Sequence, residues 1–373
     1  MLERYNQFLI ELRENKITIR DFLYCESKDE ENLSFDLNAT KRFQLLKAMQ
    51  YNWIKEDEPL VVELFNAEIE RHNKEPYQGI FPALTLCAYL LSKFKKPEYI
   101  GLFLRAKKAN FDTHCGFDYE FLVSAGISDT FEYLEKEKPD YLEDVYNYIG
   151  KNIENCSISD DEFQQWKKNL DKYYPNKLQL NNIEDEIELA MDLNETEILK
   201  QKIDEWEQSV QSWTKEKLQT LSYYKRWIDD IKGQIWATEH LLEFHTTDWD
   251  KASALQHLSE LLLKINDFEQ TWIRLQQMRK HLRQIPDWKI YGLGRVAVEI
   301  HIDLVLSIGN SDNPIAKEAF KWASDAVRKM KNLHLNFIEK VSTSASLMGD
   351  IQLSNKFKKK YSLEKKKHDD LFK

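Results

Sequence analysis

The sequence predicts an all-α protein. Only 10 Gly and 8 Pro occur in 373 residues, below the averages of roughly 7% and 5%, so elements are rarely interrupted. Apolar residues recur at helical steps: Leu45, Met49 and Trp53, then Leu258 and Leu262 with Leu255, Leu261 and Ile265 beside them. Clean apolar–polar alternation over a strand length is nearly absent.

Proline positions order the first half. Pro59, Pro97, Pro139 and Pro175 stand about 40 residues apart, and the first two open similar strings, PLVVELF and PEYIGLF; the third opens PDYLEDV. Proline suits the first helical position, where the missing N–H has no intrahelical partner anyway. Helices are expected over 39–53, 81–94 and 160–174, each preceding a proline, and two short ones in FDYEFLVSAG and SDTFEYLEKEK. Helix pairs at this period resemble the stacked hairpins of HEAT and armadillo solenoids. The likeness covers roughly 38–182 and is one of architecture; it implies irregular antiparallel helical hairpins and an extended surface.

The second half reads as longer-limbed, with no Gly or Pro between Pro175 and Gly233. Ile203, Trp206, Val210 and Trp213 step by three and four, and Leu221, Tyr224, Ile228, Ile231 and Ile235 resume the pattern. A continuous helix over 195–245 would run ~75 Å; a break near 212–217 would make it a hairpin. The long or bent helix is the expectation here. Trp206, Trp213 and Trp227 lie at multiples of seven, so on such a helix they share one stripe, either core or a partner-binding face. Further helices are expected over 249–265, 267–284, 294–308 and 314–342. The domain reading is a helical-hairpin module at 1–178, a long-helix bundle at 179–350 and a basic C-terminal tail at 351–373.

The most chemically crowded stretch is NFDTHCGFDYE, residues 110–120, with Asp112, His114, Cys115, Asp118 and Glu120. Zinc would need further ligands at spacings such as CxxC or HxxxH, which are not nearby. The stretch reads as a connector, with Asp118 capping the next helix, Gly126 ending it and Asp129 with Glu132 forming a capping box. GLGRVA, residues 292–297, fits G-x-G-x-x-A with Asp312 20 residues beyond Gly292. A dinucleotide fold needs alternating strands and helices, which the rest of the chain does not offer. His240 and His245 are five apart and diverge around a helix, and Glu299 and Asp303 share a helical side from which His301 points away. No catalytic residue, metal site or cofactor is called.

The formal charge of −10 argues against a phosphate-tracking surface. The last 23 residues carry eight Lys against Glu364, Asp369 and Asp370, a local +5, leaving −15 for the remainder. Lys93, Lys95, Lys96, Arg105, Lys107 and Lys108 are near enough in sequence to form a local basic patch for nucleic acid, the minor reading. Cys25, Cys87, Cys115 and Cys156 form no CxxC, fitting a reducing cytoplasm. The N-terminal MLERYNQFLIELRENK has no signal-peptide core, and the apolar run at 80–91 is too short for a membrane span. The expected function is non-catalytic binding of another protein through an extended helical surface. An immunity or antitoxin-like protein neutralising a toxin, such as a basic nuclease, is the narrower alternative. An enzyme with a site dispersed over the helical fold is a further one.

Overall fold

A computed structural model describes residues 2–371 apart from 31, 76–78 and 332, with side chains described to 367. The fold is all-α: 19 α-helices and one two-stranded hairpin among the described residues. The chain divides into two compact units, Met1–Lys202 and Ile203–Lys373. The division falls inside a helix.

In the first unit α1 (Glu3–Arg13) is followed by the hairpin β1 (Glu26–Lys28) and β2 (Ser34–Asp36), antiparallel with Ser27 opposite Phe35. Then come α2 (Ala39–Tyr51), α3 (Glu58–Lys74), α4 (Pro82–Ser92), α5 (Ile100–Lys107), α6 (Phe111–Gly116), α7 (Ile127–Glu137), α8 (Leu142–Ile149), α9 (Asp160–Tyr173) and α10 (Ile183–Asp192). Helix α11 (Thr196–Ser209) spans the division. Leu45, Met49, Leu64, Phe65 and Phe103 fill one core with the almost wholly buried α4. Pro59 sits in the first turn of α3 as expected, and Pro82 opens α4. Pro97 opens a 3-10 turn leading into α5. Pro139 lies in the connector before α8 and Pro175 in that after α9, so the proline period does not mark four equivalent helix starts.

A buried polar knot ties this unit together. Arg42 of α2 is fully buried; its Nε donates to Glu68 Oε1 at 2.6 Å, Nη2 to Asp36 Oδ2 at 2.5 Å and Nη1 to the Phe22 carbonyl at 3.0 Å. Asp36 Oδ1 accepts the backbone N–H groups of Cys25 and Asn38, both at 3.0 Å. His72, one turn after Glu68, donates from Nδ1 to the Glu68 carbonyl and accepts the Phe81 N–H on Nε2, which leaves it neutral. Burial, more than any other influence, pulls its pKa down.

The second unit continues with α12 (Lys215–Trp227), α13 (Ile231–Leu241), α14 (Asp248–Lys264), α15 (Phe268–Leu282), α16 (Gly292–Ile308), α17 (Pro314–Val327), α18 (Leu335–Leu347) and α19 (Ile351–Leu371). Consecutive helices pack as hairpins: α12 on α13, α14 on α15, α16 on α17 and α18 on α19. The expected long helix over 195–245 is instead three helices. The chain leaves the helix after Ser209, and Thr214 caps α12 by accepting the Lys217 N–H. Asp230 then caps α13 through the Gly233 N–H at 2.9 Å. The helix expected over 314–342 is likewise two. The basic C-terminal stretch is helical through Leu371, and its Leu353 and Phe357 are buried in this unit's core. No helix among the described residues is long and apolar enough to cross a membrane.

Candidate functional site

The three tryptophans singled out by spacing do not share a stripe. Trp206 is buried on α11, Trp213 is half-buried in the connector 210–214, and Trp227 is 48% exposed at the end of α12. The break after Ser209 removes the helical register on which the seven-residue interval depended. Trp206 and Trp213 still meet, edge to face at 6.1 Å, while Trp227 contacts Tyr223 at 6.3 Å. The ring that completes the cluster is Trp236 of α13, 5.2 Å from Trp213 and 4.0 Å from His240. Sequence spacing could not reveal it: Trp236 reaches Trp213 only once the α12–α13 hairpin closes.

Trp213 and Trp236 line an open groove of about 450 Å³ together with Asp204, Glu207 and Gln208. Asp204 and Glu207 stand three apart on α11, hence on one face. Beneath them Lys225 is buried, its Nζ 2.8 Å from Glu207 Oε2, 3.6 Å from Asp204 Oδ1 and 3.4 Å from Asp230 Oδ2. Burial opposes the charge on Lys225, but the hydrogen bond to Glu207 and the surrounding carboxylates outweigh it and raise its pKa. Three carboxylates around one ammonium leave a negative surplus beside the packed Trp213–Trp236 pair. Such a surface attracts cations, because ring quadrupole and carboxylate charge act in the same sense.

The remaining candidates are absorbed by structure. Residues 110–116 form the cap and single short turn of α6, with Asn110 and Thr113 in a reciprocal capping box. Asp112 accepts the Gly79 N–H, His114 Nδ1 meets the Tyr148 hydroxyl at 2.9 Å, and Cys115 is exposed. Asp118 does not cap the next segment, a 3-10 turn rather than an α-helix; it accepts the Trp166 indole N–H at 2.9 Å. Gly126, with φ of 127°, precedes α7, which begins before Asp129, so the expected box from Asp129 to Glu132 does not form. Among the described residues no group of three His, Cys, Asp or Glu side chains could hold a metal.

GLGRVA opens a helix, not a phosphate loop. A side chain at Gly294 would come within 2.0 Å of the Trp288 carbonyl, so this glycine serves close backbone packing. Glu299 and Asp303 both hold Lys340, at 2.9 and 3.0 Å, and His301 faces elsewhere, fully buried. The basic run after α4 is dispersed: Lys96 pairs with Glu58 and Lys108 with Asp144, both at 2.7 Å, while Lys107 is buried against the Phe117 carbonyl. No family model, curated protein or solved structure matches the chain.

Proposed function

We propose that this protein is a non-catalytic binder of another protein, taking a basic segment of its partner in the groove where Asp204 and Glu207 adjoin the packed Trp213–Trp236 pair. The juxtaposition of the packed Trp213–Trp236 pair with Asp204 and Glu207 carries the reading. Asp204 is more than half exposed, and so is placed to meet an incoming ammonium or guanidinium. The net charge of −10 adds long-range attraction for a basic partner and faster association. A toxin with a basic surface, such as a nuclease, is the narrower form of the reading that this charge favours. The four unpaired cysteines suit a reducing cytoplasm.

The test is calorimetric titration with an arginine-rich peptide and a glutamate-rich control, at low and moderate salt. The arginine peptide should bind, weaken with salt and lose about 3- to 30-fold in Trp213→Ala, the range of a partly desolvated cation–π contact. Asp204→Asn should weaken it further without unfolding, since the group is exposed. No binding at low salt, or binding indifferent to both substitutions, overturns the proposal.

A further inference from the structure

A second tryptophan cluster in the C-terminal unit is built around a cation instead. Trp272 and Arg279 are seven apart on α15 and share a face. The Arg279 Cζ lies 4.4 Å from the centre of the Trp272 ring and 5.0 Å from that of Trp322 on α17. Trp322 in turn stacks on His301 of α16 at 4.2 Å and on Trp288 at 5.6 Å, nearly parallel at 7°. Arg279 Nε donates to His301 Nε2 at 2.9 Å, and His301 Nδ1 donates to the Ala297 carbonyl at 2.7 Å. His301 is therefore a neutral acceptor in a fixed tautomer; burial, then the charge of Arg279, pushes its pKa down to about 3.

The arginine lacks what arginines in such surroundings usually have. Among the described residues no carboxylate lies within ion-pairing distance of it, and its Nη2 is enclosed without a hydrogen-bond partner. Burial and the neighbouring Arg283 pull Arg279 down to about 10, with Glu318 opposing from farther off, so it remains charged at neutral pH. A partly buried cation without an ion-pair partner is costly, and contacts to ring faces offset only ~0.5–2 kcal/mol of that cost. By contrast Arg42, the buried arginine of the first unit, holds two carboxylates and a carbonyl. Arg279 and the rings of Trp272, Trp288 and Trp322 are each only partly buried, so the cluster reaches the surface.

We propose that Arg279 is the anchor of an oxyanion-binding site, in which a carboxylate or phosphate seats against its terminal nitrogens between Trp272 and Trp322. The accessible part of the guanidinium can donate charge-assisted N–H···O bonds to the ligand, which supplies the counter-charge that the cluster lacks. Trp272 and Trp322 hold the fork flat and exclude water from its faces. His301 occupies the Nε edge and fixes which edge is left for the ligand. The site is independent of the acidic groove and takes a ligand of opposite sign.

The experiment is fluorine NMR of the full chain labelled with 5-fluorotryptophan, with Trp272, Trp288 and Trp322 assigned by single Trp→Phe variants. The protein is titrated with inorganic phosphate and, separately, acetate, each against sodium chloride at equal ionic strength. Expected is a saturable shift of Trp272 and Trp322, with Trp213 and Trp236 unmoved. Arg279→Lys, which keeps the charge but loses the fork, should weaken it by about tenfold or more. A response to phosphate alone assigns a phosphate ligand, to acetate alone a carboxylate ligand, and to both the shared chemistry. If neither anion moves Trp272 or Trp322 beyond the chloride control up to about 50 mM, a concentration that reveals even weak sites, the proposal falls. It falls equally if the shift persists undiminished in a folded Arg279→Lys.

Discussion

Arg42→Met removes the one cation that holds Asp36 and Glu68 inside the first unit. The guanidinium is fully buried and so are both carboxylates, and it spans β2, α2 and α3. Methionine fits the aliphatic path of the stem but leaves two acids facing each other without a counter-ion. Breaking a buried ion pair from one side costs about 3–5 kcal/mol, against a total stability of roughly 5–15 kcal/mol for a domain. The loss should appear as a drop of about 2 M in the urea midpoint of this unit, taking a slope near 2 kcal/mol per M. Hydrogen exchange of the α2, α3 and α4 amides reports on this unit alone, and there the same loss is about a thousandfold faster exchange. Exchange within tenfold of the parent would refute the claim that this arginine carries the knot. A triple variant, Asp36→Asn with Arg42→Met and Glu68→Gln, separates charge from shape. It should recover at least ~1 kcal/mol over Arg42→Met, because no unpaired charge remains. A triple variant no better than the single would mean that packing, not charge, is what Arg42 supplies.

Acidification should destabilise the fold through its buried neutral histidines. His301 is held down to about 3 by burial and Arg279, and His72 is lowered by burial. Between an unfolded pKa near 6.5 and the folded value, the unfolded chain binds a proton that the folded chain does not, so stability is full above that window and falls within it. The slope from His301 is up to ~1.4 kcal/mol per pH unit. The difference in melting temperature between the parent and His301→Gln should therefore shrink from pH 7 to pH 4, and a constant difference would contradict the neutral assignment. Gly294→Ala should cost roughly 2 kcal/mol or more, since the added Cβ would meet the Trp288 carbonyl at 2.0 Å in a helix that cannot retreat from its own start. Gly292→Ala, with open space around it, serves as the control; equal melting temperatures for the two variants would refute the packing argument. Gly150→Ala should be comparably damaging, because the residue has φ of 91° and its Cβ would lie 2.1 Å from the Asn155 carbonyl.

The helical class was readable because it rests on local spacing, and α2, α4, α9, α14, α15 and α16 fall within two residues of where periodicity placed them. The small hairpin β1–β2 was not readable, since two strands of three residues show too little alternation to register. Helix interruption was under-read. Neither 210–214 nor 328–334 contains Gly or Pro, and α12 and α18 begin instead with side-chain caps at Thr214 and His334. Ser, Thr and His caps are ordinary residues elsewhere, so their role emerges only where packing rewards a turn. Asp118 illustrates the converse: a good capping residue was claimed by the Trp166 indole, a partner 48 positions away.

The tryptophans show why the candidate sites were the least legible part. A heptad interval finds rings that share a face of one helix, yet each cluster here is assembled from several elements: Trp213 from a connector and Trp236 from α13, or Trp272, Trp288 and Trp322 from α15, a 3-10 turn and α17. What distinguishes the two clusters is not the rings but the charge set against them. Indole faces exclude water and favour cations, so beside Asp204 and Glu207 they reinforce an existing attraction for a positive ligand. Around Arg279 the same faces already serve the protein's own cation, and what is left to satisfy is its hydrogen-bonding edge, which calls for an anion. The ligand sign proposed for each cluster therefore follows from which partner the fold has supplied and which it has left out. That information resides in tertiary pairing, where neither composition nor the net charge of −10 records it.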